Sequence, residues 1–407
     1  MKKILIVTTH VDIESRLIKM IKNNILPEAE YSVVAEFFGE VPKVSTYFKN
    51  FFPIQDLRNE NEISEAIEKS KEWGPFDCVL QTDEYAVHLA AVIREHLNVK
   101  GLRTKDVTKF RDKVEMKKSL KDQVRAPYLY EMEMLLNNPD LFPVVVKPRS
   151  YAGSKGICVL HSIQELDKYL KEHNISIDDQ TDSFREFAMD EVEFEEYIQG
   201  LIFHIDGLVF NNEIIFCSAS KYEGICLNFL KGEPLGSISI DDKDEQDRWK
   251  AFTQQVHEAM EIPDGAFHLE AFLTNEGERI FLEIGIRPGG SLVVPSIEAA
   301  VGINLDEAHL QCQLDITPEI NLKNAKNYGW LVYPKVYDSE SEQKIKEVCL
   351  PQVSLPSVTW SEIPGIGQPL TGSFSYVNNL GSFVFVSEAT EQINQDLKVL
   401  INQYSVI

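Results

Sequence analysis

Phe267-His-Leu-Glu-Ala-Phe-Leu-Thr-Asn-Glu-Gly-Glu-Arg-Ile-Phe-Leu-Glu-Ile-Gly-Ile-Arg-Pro-Gly-Gly290 is the stretch from which this chain is best read. Phe267 to Leu273 and Arg279 to Gly285 each alternate side chains between two faces, as strands do. Thr274 to Glu278 supplies the turn, with Gly277 free to take a positive φ. A hairpin centred between Glu276 and Gly277 sets Glu270 directly opposite Glu283. Like charges facing each other on a ladder repel, with Cβ atoms only about 5 Å apart. A cation between them relieves the repulsion. Two carboxylates with neither His nor Cys in the pair suit a hard ion, Mg2+ or Mn2+. Arg287 shares the strand parity of Glu283, and Pro288-Gly-Gly290 then ends the strand. Metal, arginine and an approachable backbone are parts for stabilising a charged phosphoryl or acyl transition state. The plainer alternative, an exposed face of salt bridges, sits badly with Leu269, Phe272, Phe281, Leu282 and Ile284, which read as buried on both faces.

The whole chain is 407 residues, long enough for two or three domains. Hydrophobic residues make up 43% and charged residues 26%, ordinary for a globular protein. The net charge of −24 argues against nonspecific binding to nucleic acid or to an anionic membrane surface. The six cysteines are scattered with no Cys-x-x-Cys, which argues against a zinc site or a disulfide framework. No apolar run is long enough to cross a bilayer, and the N-terminal run is too short for a signal peptide, so a cytoplasmic protein is expected.

Strands over 3–9, 31–38 and 77–82 alternate with helices over 13–25, 62–73 and 83–95, which predicts a doubly wound α/β domain. No Gly-x-Gly-x-x-Gly follows the first strand, so the dinucleotide fingerprint is absent. Ligands of such sheets bind beyond the carboxyl ends of the strands. That places Thr8, Thr9, His10, Asp83 and Glu84 near a substrate site, although Asp83 reads equally well as a helix cap. Further on, 104–120 is helical and carries Arg111-Asp-Lys113. Pro143-Val-Val-Val-Lys-Pro148 is a buried strand ending in Lys147, which either points into a site or snorkels to water. The small-residue loop Arg149 to Gly156 lacks P-loop spacing but suits a phosphate-covering turn. Residues 191–200 read as an edge strand and turn, 203–210 and 213–219 as long strands, 221–240 as a glycine-containing loop over the site, and 244–260 as an amphipathic helix. Short strands at 328–334, 372–377 and 381–386 and a helix over 390–404 describe a small α+β domain.

Taken in order, Arg111-Asp-Lys113, Val144-Val-Val-Lys-Pro148, Glu195-Glu-Tyr-Ile-Gln-Gly200, His268-Leu-Glu270 and Glu283-Ile-Gly-Ile-Arg-Pro-Gly-Gly290 resemble the ATP-grasp superfamily. Within it the chain is most similar to the L-amino acid ligases, carboxylate–amine ligases that form dipeptides. The resemblance implies an N-terminal α/β substrate-binding domain over 1–100, an ATP-grasp domain over 101–312 with a flap subdomain at about 125–200, and a C-terminal α+β domain over 313–407. It implies ATP and Mg2+ (or Mn2+) as cofactors. Lys113 and Lys147 would contact the phosphates, with Ser154 in the flap above them. Glu195, Glu196, Tyr197 and Ile198 would surround the adenine. Glu270 and Glu283 would hold the metal, and Arg287 would stabilise the acyl-phosphate and tetrahedral states. Glu84, His268, Arg287, Gly289 and Gly290 would line the amino acid site. Two departures stand out. Many relatives bind ribose with a glutamate where this chain has Ile202, and His204 is the expected substitute. Many also carry asparagine where this chain has Gly285, which bears on a second metal.

The expected reaction joins two L-amino acids through an acyl phosphate, releasing ADP and phosphate. Its partners are small-molecule amino acids, with no nucleic acid and no membrane, and a homodimer is expected by analogy alone. The alternatives are another ATP-grasp carboxylate–amine or carboxylation ligase with a different substrate, or a noncatalytic nucleotide-binding regulator.

Overall fold

The computed structural model describes residues 1–9, 13–36, 47–57, 59–151, 153–154, 156–172, 192–335, 343–370 and 379–407. His10 and the strand expected at 372–377 lie outside them.

The N-terminal part is a four-stranded parallel sheet in the order Phe48–Ile54, Ala29–Glu36, Lys2–Thr8, Cys78–Gln81. Lys2–Thr8 is central, and Ile4 to Val7 are wholly buried, as a strand covered on both faces requires. Helices Glu60–Trp73 and Ala86–Leu97 pack on one face through Ala66, Ile67, Leu89, Ala90 and Ile93. On the other face, Leu310 and Leu314 from helix Leu305–Gln313 and the residue after it meet Ile4, Ile6 and Leu80. The strand Phe48–Ile54 escapes sequence reading because Lys49 and Asn50 break its alternation and Pro53 sits near its end; its position at the sheet edge tolerates both.

An eight-stranded sheet dominates the rest. Its order is Arg279–Gly285, Gly265–Leu273, Leu201–Phe210, Glu213–Glu223, Leu235–Ser239, Asn327–Tyr333, Gly381–Ser387 and Val358–Glu362. The C-terminal strands therefore continue the same sheet as the hairpin. One face packs under helix Lys243–Met260, where Trp249, Phe252, Val256 and Met260 cover Phe203, Ile205, Val209, Phe267 and Leu269. The other face divides. Toward the C-terminal strands it is apolar beneath helix Val293–Val301, with Leu208, Val293, Ile297 and Trp330. Toward the hairpin it is polar. A separate three-stranded sheet, Cys158–Leu160, Val144–Pro148 and Val192–Glu196, carries helix Ile163–Glu172 on Leu166 and Tyr169.

Two expectations are corrected here. The segment 221–240 is a loop only in part: the Glu213–Glu223 strand extends into its start, Cys226–Phe229 is a helical turn, and Leu235–Ser239 is a strand of the main sheet. Gly236 is there because a Cβ would lie 2.7 Å from the carbonyl oxygen of Trp330, so the glycine marks close strand packing, not a turn. The helix expected over 104–120 is two, Thr104–Thr108 and Lys113–Ser119, because the Asp112 carboxylate accepts from the N–H groups of Val114 and Glu115 and starts a new helix. None of the six cysteines is in a disulfide. Among the described residues no helix is long and apolar enough to cross a membrane.

Gly207 lies where the Leu201–Phe210 strand passes beneath the Phe267 ring. A Cβ there would fall 2.5 Å from the carbonyl oxygen of Phe216 and closer still to that ring. Gly207→Ala is expected to cost about 1–3 kcal/mol, read as a lower urea midpoint with an unchanged m value.

Candidate active site

The hairpin pairs His268 with Gly285, Leu269 with Ile284 and Glu270 with Glu283, and then slips by one so that Ala271 faces Phe281. Leu282 is thus the extra residue of a bulge. The turn is closed by Thr274 N–H to the Glu278 carbonyl and Gly277 N–H to the Thr274 carbonyl, with Gly277 at φ +84°. The bulge lets this turn coexist with the opposed glutamates.

Neither carboxylate is left bare. Glu283 lies 3.2 Å from the Lys113 ammonium, and Glu270 accepts from the Tyr222 hydroxyl at 2.7 Å. Burial works against ionisation of Glu283, but Lys113, Lys147 and Arg287 outweigh it and hold its carboxyl down to about 2. Lys113 opens its helix and also donates to the Tyr151 carbonyl, in the small-residue loop after the Val144–Pro148 strand. In that loop Gly153, Ser154 and Gly156 all take positive φ, and the Ser150 carbonyl accepts from Arg111 at 2.8 Å.

Lys147 is 2% exposed and does not snorkel. Its ammonium is 2.6 Å from Glu195, and Lys117 meets both Glu193, at 2.7 Å, and Glu195, at 2.9 Å. Two cations and two anions are thus buried as a neutral cluster, the condition under which ions leave water at tolerable cost. Burial alone would lower the pKa of Lys147, but Glu195, Glu193 and Glu283 raise it. Glu195, though buried, is held below the usual carboxylate range by its two lysines, whereas burial pushes Glu193 up. Glu196 points away from this cluster and pairs with Arg125 at 2.6 Å. Tyr197 and Ile198 follow at the exposed strand end.

On the inner side a hydrogen-bonded chain crosses four strands. Asp206, 0% exposed, accepts from Nδ1 of His204 at 2.6 Å and of His268 at 2.8 Å. Nε2 of His204 is 2.6 Å from Ser237 Oγ, and Nε2 of His268 faces Glu270 at 3.4 Å. The two histidines and Asp206 bring ligand-type atoms within 4.8 Å of one another, but the separations are those of direct hydrogen bonds. His204 is fully enclosed with both ring nitrogens engaged, so no ring atom remains for a ribose hydroxyl, and that expectation is corrected. Burial alone would lower the pKa of His268, but Asp206, with a hydrogen bond to Glu270, raises it to about 9.

Asp83 is a structural cap: it accepts from the N–H groups of Thr9, Tyr85 and Ala86 and from the hydroxyls of Thr9 and Thr82. Glu84 beside it reaches the hairpin, pairing with Arg111 and with Nε of Arg287 at 2.9 Å. Gly289 lies directly over Asp206, where a Cβ would come 2.5 Å from Oδ1, while a Cβ on Gly290 would meet open space. The structure therefore gathers Glu84, Lys113, Lys147, Glu195, His268, Glu270, Glu283, Arg287 and Gly289 around one polar region. Sequence reading missed Lys117, Glu193, Asp206 and Tyr222 there. A signal existed for three: Lys117 is four residues beyond Lys113 on one helix face, and Glu193 and Asp206 share strand parity with Glu195 and His204.

Such a region, with paired oxygen ligands for a hard cation beside two buried lysines, has the donor chemistry for a nucleoside triphosphate and its metal. Residues 141–295 match the family model described as the ATP-grasp domain. The chain therefore carries an ATP-grasp domain over these residues. It is 25% identical over 291 residues to the L-arginine-specific L-amino acid ligase of Bacillus subtilis, a match covering 69% of this chain and 68% of that protein. The crystal structure of an L-amino acid ligase from Bacillus licheniformis superposes with a TM-score of 0.76 at 16% identity, over 100% of this chain and 98% of the other. The biotin carboxylase domain of a Hydrogenobacter thermophilus 2-oxoglutarate carboxylase, solved with MgADP and bicarbonate, gives 0.68 at 13% identity, over 100% and 90%. At these identities the two superpositions establish a shared fold alone.

The raised pKa of His268 makes a prediction about stability. A histidine with a folded pKa near 9 stabilises fully below its unfolded value of about 6.5 and loses that contribution as pH rises through 9. Urea unfolding of the wild type should lose up to about 3 kcal/mol between those pH values, and His268→Gln should flatten that loss.

Proposed function

We propose that this protein joins two L-amino acids into a dipeptide at the expense of ATP. The carboxylate of the donor amino acid attacks the γ-phosphorus of ATP, ADP leaves, and an acyl phosphate forms. The amine of the acceptor then attacks the acyl carbon, phosphate leaves, and the ammonium proton passes to solvent or a nearby base. The single observation that carries the reading is the half-buried Glu270–Glu283 pair, set opposite on one ladder with Lys113, Lys147 and Arg287 around it.

In this reading Lys113 and Lys147 exchange their present carboxylate partners for phosphate oxygens, as strong charge-assisted donors do. Glu270 and Glu283 would hold Mg2+, which when bound would supply charge neutralisation for phosphoryl transfer. Tyr222 fixes the carboxylate of Glu270. Arg287 meets the negative charge that develops on the acyl phosphate and tetrahedral oxygen. The loop at 150–156, Ser154 included, covers the phosphates, and Tyr197 and Ile198 border the base at the strand end. Gly289 and Gly290 leave room for the substrate backbone to approach. Donation of amino acids as both substrates rests on the sequence similarity to an L-amino acid ligase over two thirds of the chain.

The test is phosphate release from ATP and Mg2+ over single amino acids and pairs, with mass spectrometry of the products. The reading predicts release that depends on a pair and a product of dipeptide mass. Glu283→Gln should lower that rate by roughly a hundredfold or more while the protein stays folded. Release with bicarbonate or another carboxylate and no dipeptide would redirect the substrate; full turnover in Glu283→Gln would refute the metal role.

A further inference from the structure

Gly285 ends the Arg279–Gly285 strand, two residues before Arg287. A Cβ built there would lie 2.6 Å from Glu84 Oε2 and 3.4 Å from Arg287 Nε. The space that a side chain at 285 would fill is therefore taken by a carboxylate from the turn between the Cys78–Gln81 strand and the Ala86–Leu97 helix. That carboxylate is spoken for on both oxygens: Oε1 pairs with Arg111 Nη1, and Oε2 accepts from Arg287 Nε at 2.9 Å. Arg111 in turn donates to the Ser150 carbonyl at 2.8 Å, and its guanidinium lies 5.5 Å from the centre of the Tyr85 ring. Arg287 also donates from Nη1 to the Pro288 carbonyl at 2.8 Å. Two edges of its guanidinium are thus fixed, one of them from another part of the chain.

We propose that Glu84 is the positioning residue for Arg287, and that Gly285 is glycine because this carboxylate must pass through the place of its side chain. The inference rests on the role proposed above for Arg287. A long, rotamer-rich side chain stabilises a transition state well only when its geometry is set beforehand. Glu84 sets it, and through Arg111 it ties the same arginine to the start of the loop at 150. Held between two guanidinium groups, the Glu84 carboxylate is poorly placed to attract a substrate ammonium group.

The test is a cycle of Glu84→Ala, Gly285→Ala and the double variant, with Glu84→Gln beside it. Urea unfolding is measured first and needs no substrate. Gly285→Ala should lower the midpoint clearly in the wild-type background and much less in the Glu84→Ala background. An equal drop in both would overturn the claim that the two share a space, whatever the protein catalyses. In ADP release, Glu84→Ala should lower kcat by roughly tenfold to a hundredfold with KM for ATP and for either amino acid within about twofold, and Glu84→Gln, which keeps an acceptor oxygen for Arg287, should recover part of the loss. A raised KM for one amino acid with kcat retained would make Glu84 a substrate ligand and overturn the positioning role. If the wild type shows no ligation at all, the proposed function fails, and the unfolding cycle still decides whether Glu84 and Gly285 are coupled.

Discussion

Glu270 and Glu283 face each other on one half-buried ladder, and the charged interior of this protein is arranged around the cost of keeping them there. Opposed carboxylates repel, and burial amplifies the repulsion by removing water. The chain answers with Lys113 against Glu283, Tyr222 against Glu270, and Lys147 and Arg287 within electrostatic reach. Each of these groups comes from a different segment: a short helix, a long strand, a second sheet and the strand end. The requirement to hold one pair of charges thus orders pieces from most of the molecule around one point.

The same logic explains why the surrounding clusters are nearly neutral. Lys117 and Lys147 against Glu193 and Glu195, and Asp206 between two histidines, bury ions only with partners. Such clusters contribute little net stability compared with an apolar core, but breaking one by removing a single partner is costly. They are better understood as scaffolding that fixes lysines and carboxylates in place before a polyphosphate arrives, which is where preorganised charge is most effective.

How much of this was legible in the sequence depended on the range of the contact. The hairpin, its turn at Gly277 and the facing glutamates follow from alternation over twenty residues. Lys147 was readable as unusual because three valines precede it, and the parallel N-terminal sheet because its strands are solidly apolar. The glycine at 236 misled, since a glycine required by strand crowding and one required by a turn look alike in sequence. Lys117 shares a helix face with Lys113 and Glu193 a strand parity with Glu195, but only the packing of a helix against a strand 76 residues away makes them a buried pair. The bond between Glu84 and Arg287 spans 203 residues, and no local pattern announces it. The bulge at Leu282 was likewise invisible, because loop length alone does not say on which strand an extra residue is absorbed.

The central claim is that a donor carboxylate passes through an acyl phosphate at this pair of glutamates. It is tested most directly by supplying a donor amino acid labelled with 18O in its carboxylate, together with ATP, Mg2+ and an acceptor, and analysing the released phosphate by mass spectrometry. The account predicts one 18O atom in each phosphate formed, with the second retained in the new amide. Unlabelled phosphate alongside a labelled nucleotide monophosphate, or unlabelled phosphate alone, would contradict it.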